Sequence, residues 1–195
     1  DTFIDTFEKM KIDLFSYKIK QSFFENQCIF YNVDLINYAA GFGSLQIFKY
    51  LLMKKVKINK SIHKYAIIGG NYEIIHILEE NNIEFNSDSI TTAIQYNQNE
   101  ILNYLHSTIG LYFEKIHLLI CFEFFNYFAL NLIFSENPEF FDLNEIGNNV
   151  FYESCKTGFI TLSSFLINQR FIDVNYLYKI LKIFYSTNGV YFIFN

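Results

Sequence analysis

The chain has 195 residues, enough to bury a sizeable core, and 51% of them are hydrophobic. This composition excludes an intrinsically disordered segment, and the single proline, Pro138, disfavours a strand-rich architecture with frequent breaks. The net charge of −5 and the single arginine, Arg170, disfavour a nucleic-acid-binding protein, which would carry a basic surface.

The first 33 residues are predicted to form a helical cap. Apolar side chains recur there at helical spacing, as at Phe7, Met10 and Leu14. No basic segment followed by an apolar run opens the sequence, so no secretory signal is expected. Because the chain begins with Asp1 rather than methionine, it is open whether it is part of a longer protein whose effector domain lies elsewhere.

A 27-residue period organises residues 34–109 into three units. One position is always alanine and a second is always leucine. A third is a turn position held by glycine or asparagine, the residue types that tolerate positive φ. Each unit therefore predicts two short helices, the first carrying the small residue and the second an apolar face at i, i+3 and i+4 spacing. The three series are Ala39, Ala66 and Ala93; Leu51, Leu78 and Leu105; and Gly43, Gly70 and Asn97.

Two looser units are predicted over residues 110–176. Cys121 takes the alanine position of the fourth unit, and a phenylalanine takes its turn position. The fifth unit recovers a turn glycine, Gly158, and a leucine, Leu166, and it ends in Asp-Val-Asn at 173–175. Residues 177–195 are an apolar tail or a truncated repeat. An apolar end of this kind favours a truncated array or a partner that covers it, because a terminal repeat needs a polar outer face.

The order of small residue, turn glycine, Glu-Ile, paired leucines and Asp-Val-Asn resembles the ankyrin repeat. The first three units resemble the shortened, divergent ankyrin-like units of expanded protist families. They depart from the standard repeat because Asp34–Asn37 and Ser61–Lys64 stand where Thr-Pro-Leu-His would open it. The resemblance implies an all-α solenoid of stacked helix-turn-helix repeats. It also implies a non-catalytic adaptor or scaffold that binds another protein, of unknown identity, through its repeat tips and inner helix face.

Charged residues between the units are the candidate contacts for that partner. The first connection is rich in lysine and the second in carboxylates, which is typical of solvated loops and would also suit a bipolar binding edge. The candidate partner-binding residues are Lys54, Lys55, Lys57, Lys60, Lys64, Glu84 and Asp88. The residues expected to pack the repeats are Ala39, Gly43, Leu51, Ala66, Gly70, Leu78, Ala93, Leu105, Gly158 and Leu166.

No catalytic, cofactor-binding or metal-binding residues are predicted. The four histidines and three cysteines lack zinc spacing, and Gly69-Gly70-Asn71 fits neither phosphate-binding glycine motif. We therefore expect no enzyme activity, no cofactor and no small-molecule substrate. Three widely spaced cysteines without a CxxC pair favour reduced thiols and a cytoplasmic location.

The alternative is a membrane-associated helical protein. The segment 116–134 is nearly apolar over a length close to that of a membrane-spanning helix. Glu123 lies near its middle, and a charge there would cost about 2.5–3.5 kcal/mol on insertion scales. In the register of the repeats, the same segment forms two packed helices. We therefore favour packing within the repeats over membrane insertion.

Overall fold

The computed structural model describes residues 5–6, 8–9, 13–20, 32–168, 172–173, 175, 178–179 and 182, without the side chains of 143 and 144. This part of the chain is mostly helical, so the predicted helical class is confirmed. A short strand β1 (Lys18–Ile19) pairs antiparallel with β2 (Val33–Asp34). Most of the predicted C-terminal tail, 177–195, lies outside the described residues.

Ten α-helices follow the strands in the described part of the chain. They are α1 (Leu35–Gly41), α2 (Leu45–Met53), α3 (Ile62–Gly69), α4 (Tyr72–Glu80), α5 (Ser87–Gln95), α6 (Asn99–Ser107), α7 (Lys115–Glu123), α8 (Tyr127–Glu136), α9 (Leu143–Lys156) and α10 (Ile160–Asn168). A 3-10 helix, Pro138–Phe141, connects α8 to α9. The chain forms two compact units, Asp1–Tyr112 and Phe113–Asn195.

In the first unit, each pair of helices packs on the next pair. Helix α3 lies against both α1 and α5, while α2, α4 and α6 each pack on the first helix of their own pair. The alanines of the 27-residue period lie at these contacts, since Ala39 is 3% exposed and Ala66 and Ala93 are fully buried. A small side chain at this position lets neighbouring helix axes approach.

The turns between paired helices carry the same period into the backbone. Gly43, Gly70 and Asn97 have φ of 61°, 69° and 52°, the left-handed conformation that closes a helix end. In the first turn, the N–H of Ser44 donates to the Ala39 carbonyl at 2.9 Å and that of Gly43 donates to the Ala40 carbonyl at 3.0 Å. These two hydrogen bonds form a Schellman motif, which requires the left-handed conformation at Gly43.

The second helices begin with different caps. Ser44 and Asn71 both suit an N-cap, yet only the Asn71 side chain accepts hydrogen bonds, from the N–H groups of Glu73 and Ile74. Asn71 also donates to the Gly43 carbonyl of the preceding turn at 3.1 Å. Gln98 donates to the Ile68 carbonyl at 2.9 Å. These side-chain amides therefore connect consecutive repeats, and Asn71 also caps its own helix.

The second unit keeps the helix pairs with less regular turns. Helix α7 packs against α8 and α9, and α9 packs against α10. Cys121 and Ser154 take the small-residue position at 1% exposure each, and Ile133 and Leu166 are fully buried at the leucine position. The segment 116–134 is divided between α7 and α8 by a turn at 124–126.

Candidate partner-binding surfaces

The lysine-rich connection between α2 and α3 is exposed. Lys54 caps α2, where its Nζ lies 3.5 Å from a Glu8 carboxylate oxygen and 5.2 Å from the centre of the Tyr50 ring. Lys55 is exposed in the left-handed conformation, with φ of 63°. Lys57 and Lys60 are also exposed, and Lys57 borders a depression of about 560 Å³. The predicted lysines therefore present several separate charges rather than one site.

Lys64 and Asp88 are brought together on the first helices. Both lie within helices rather than loops, since α3 begins at Ile62 and α5 begins at Ser87. The Lys64 Nζ lies 3.0 Å from a carboxylate oxygen of Asp88, and both side chains are about half exposed. Two of the predicted contact residues, one positive and one negative, are thus paired across two neighbouring repeats of the first unit.

This ion pair borders a groove of about 370 Å³ between α3 and α5. The first-helix groove is open to solvent and is lined by Ser61, Lys64, Tyr65, Ile68, Asp88, Thr91, Thr92, Gln95 and Tyr96. Burial raises the pKa of Tyr65, and the charge of Asp34 raises it further, so this phenol keeps its proton. The groove therefore offers two aromatic rings, hydroxyl and amide groups, and one charge of each sign.

A smaller groove of about 220 Å³ brings Lys60 and Glu84 to one surface. The neighbouring His63 is 7% exposed, and its Nδ1 lies 2.8 Å from the Lys60 carbonyl. Since a carbonyl only accepts, Nδ1 carries the proton and Nε2 is the acceptor, for which the described residues supply no hydrogen-bond partner. Burial lowers the pKa of His63, which favours this neutral form.

Sequence analysis missed a polar cluster on the second helices α4 and α6. The Tyr104 hydroxyl donates to Glu79 at 3.0 Å, and the His76 Nδ1 lies 2.9 Å from the same carboxylate. The rings of Tyr72 and Tyr104 meet edge to face with centroids 5.8 Å apart. The sequence feature that could have revealed this cluster is the four-residue spacing of Tyr72 and His76, which places both side chains on one side of α4. Glu79 lies on α4 itself.

The described residues contain no group of three or more histidine, cysteine, aspartate or glutamate side chains that could hold a metal ion. Cys121 and Cys155 are buried, and burial raises the pKa of both thiols, that of Cys121 to about 12. Both thiols are therefore protonated and poorly nucleophilic at neutral pH. Among the described helices, none has the length and apolar character needed to cross a membrane.

Comparison with known proteins gives one match of unknown function. Residues 53–134 match the model of a family described as a domain of unknown function (DUF3447). The match begins at the last residue of α2 and ends within α8, and it covers less than half of the chain. No curated protein and no solved structure matches the chain.

Proposed function

We propose that this chain is a non-catalytic protein–protein interaction module built from ankyrin-like helix pairs. In this proposal the pairs stack as a solenoid, and a partner protein binds across the first-helix groove and the neighbouring connections. Support for the ankyrin-like arrangement comes from the packing of α3 between α1 and α5, and from the recurring turn conformation at Gly43, Gly70 and Asn97.

The first-helix groove is the observation that carries the proposal. Tyr65 and Tyr96 offer large rings with few rotatable bonds, a combination that is favoured in protein interfaces. Lys64 and Asp88 lie side by side at the same surface and would orient a partner through its charges. A groove open along one side suits an extended segment or a loop of a protein better than an enclosed small molecule.

Site-specific photo-crosslinking in the cells that express the protein tests this proposal. A photoreactive residue at Thr91 lies in the groove, while one at Asn103 lies exposed on α6. We expect a discrete adduct with one partner from position 91 and none from position 103. Equal labelling from both positions, or none from either, would contradict binding at the groove.

A charge exchange sharpens the same experiment. Lys64→Asp combined with Asp88→Lys keeps an ion pair on the two helices but reverses its direction. We expect it to reduce the position-91 adduct at least about tenfold, because close charge pairs in interfaces are worth about 1.5 kcal/mol or more. The control exchanges Lys115 and Glu145, an exposed pair in the second unit, and should leave the adduct unchanged. Reversal of Lys54, Lys55 and Lys57 to glutamate then tests the adjoining connection separately.

A further inference from the structure

Five exposed aromatic residues form an apolar surface at helix α8 of the second unit. This aromatic patch consists of Phe124, Phe125, Tyr127, Phe128 and Phe134, whose residues are 36%, 46%, 52%, 50% and 53% exposed. Isolated exposed rings are ordinary on protein surfaces, but a contiguous apolar patch marks an interaction site. The patch lies outside the first-helix groove, so it is independent of the proposed function.

Helical spacing places the patch on one side of α8. Tyr127 and Phe134 are seven residues apart and share a face with Asn131, and Phe128 lies next to that face. Ala129 and Ile133 are fully buried and attach the opposite side of the helix to its own unit. Phe124 and Phe125 extend the patch across the turn that precedes α8. Because Ala129 and Ile133 face the interior, the aromatic side of α8 faces solvent.

Phe125 occupies a turn position that does not suit its side chain. Its φ of 54° is left-handed, and the corresponding residues of the other repeats are Gly43, Gly70, Asn97 and Gly158. The turn itself is the usual one, because the N–H of Asn126 donates to the Cys121 carbonyl at 3.0 Å. A bulky residue in this conformation is strained, and here it also exposes its ring. The fold alone would be served better by glycine.

Charge and area indicate which molecule covers the patch. No residue from 124 to 135 is charged, while the whole chain carries −5. An uncharged surface is one place where two such chains can meet without opposing like charges, and it offers nothing to select an oppositely charged partner. The exposed surface of the five residues amounts to about 500 Å², more than half of the roughly 800 Å² per partner that a standard interface needs.

We propose that a second copy of this chain covers the aromatic patch, joining two copies through a two-fold symmetric interface. In such an interface the same patch lies on both sides and the rings of one copy pack against those of the other. The rings then form the water-excluded centre of the contact, and the polar Asn131 side chains lie among them.

The test is the mass of the full chain in solution at increasing protein concentration. Sedimentation equilibrium should show the average mass rising from the 23.2 kDa monomer towards twice that value over about 1–100 μM, the micromolar range of a modest interface. Phe128→Ser should weaken the association at least about tenfold. Tyr112→Ser changes another exposed aromatic residue, 84% exposed and in the first unit, and should leave the association unchanged.

Phe125→Gly separates a binding role from a folding role. Glycine relieves the left-handed strain, so this variant should melt at a higher temperature while its dimer dissociates more readily. A higher melting temperature with unchanged association would overturn the proposal, as would a wild-type chain that stays monomeric throughout. Monomers that bind phosphatidylcholine–phosphatidylglycerol vesicles through the patch would overturn it too, since a lipid surface would then be the occupant.

Discussion

Replacing Gly69 by alanine should destabilise the first unit, although the same change in an isolated helix is stabilising. Gly69 ends helix α3, where alanine would ordinarily gain about 0.5–1 kcal/mol over glycine. An added Cβ would lie 2.0 Å from the carbonyl oxygen of Ala40 and 2.7 Å from the backbone nitrogen of Gly43. Both atoms belong to the backbone of α1 and of the turn that follows it, so no side-chain rotation removes the clash.

The magnitude follows from the helix shift that the clash requires. Overpacking commonly costs about 1–3 kcal/mol and occasionally more, and a rigid backbone neighbour places this site at the upper end. After the propensity gain of about 0.5–1 kcal/mol is subtracted from about 3 kcal/mol, we expect a net loss of about 2–2.5 kcal/mol. For a cooperative unit of this size, each kcal/mol lowers the melting temperature by about 4–6 °C, so the total shift is about 8–15 °C.

Differential scanning calorimetry of Gly69→Ala beside Gly110→Ala provides the measurement. At Gly110 an added Cβ meets no atom of the described residues within 4 Å, and the cost there comes from a φ of 82°, about 1–2 kcal/mol. Gly69→Ala should therefore melt lower than Gly110→Ala. An unchanged or raised melting temperature for Gly69→Ala would refute the close approach of α1 and α3.

Three further predictions concern buried side chains. Ala66→Leu, in the fully buried face of α3, should cost about 1–3 kcal/mol by overpacking; an unchanged denaturant midpoint would show that its position in the helix contact is wrong. Burial lowers the pKa of His63 below its ordinary 6.5, so the unfolded chain binds a proton that the folded chain does not, and stability should fall as the pH drops below about 6.5. Thermal melts of His63→Asn should show a shallower decline on acidification than those of the wild type. Cys121, with its pKa raised to about 12, should react with a maleimide only as fast as the second unit opens, whereas reaction at the rate of a free thiol would contradict its burial.

Backbone requirements that recur in every unit could be predicted from the sequence. A left-handed turn favours glycine or asparagine, and a close helix contact favours a small side chain. The residue types at the positions of Gly70 and Ala66 therefore repeat every 27 residues and can be recognised in the sequence. Gly69 could not be found in this way. The corresponding residues of the first, third and fourth repeats are Phe42, Tyr96 and Phe124. Glycine is needed at position 69 because the Ala40 carbonyl approaches it closely.

The candidate site was predicted less completely than the fold because it depends on where helices begin. Lys64 and Asp88 were both assigned to connecting loops, yet the first turns of α3 and α5 place them 3.0 Å apart. The contact between Glu79 and Tyr104 joins two repeats, so the contact itself leaves no pattern within either helix alone.

Salt dependence distinguishes the two proposed surfaces, because they differ in the physical basis of binding. At the first-helix groove a partner would be oriented by Lys64 and Asp88, which are about half exposed. The screening length falls from about 10 Å at 0.1 M salt to about 3 Å at 1 M, so binding there should weaken steadily as NaCl is added. The aromatic patch has no charged residue from 124 to 135, so association through it should hold or strengthen in the same titration, and more clearly in sulfate. A dimer that dissociates as NaCl rises would therefore be held by charges outside the patch, and a partner that stays bound at 1 M salt would not be recognised through the Lys64–Asp88 pair.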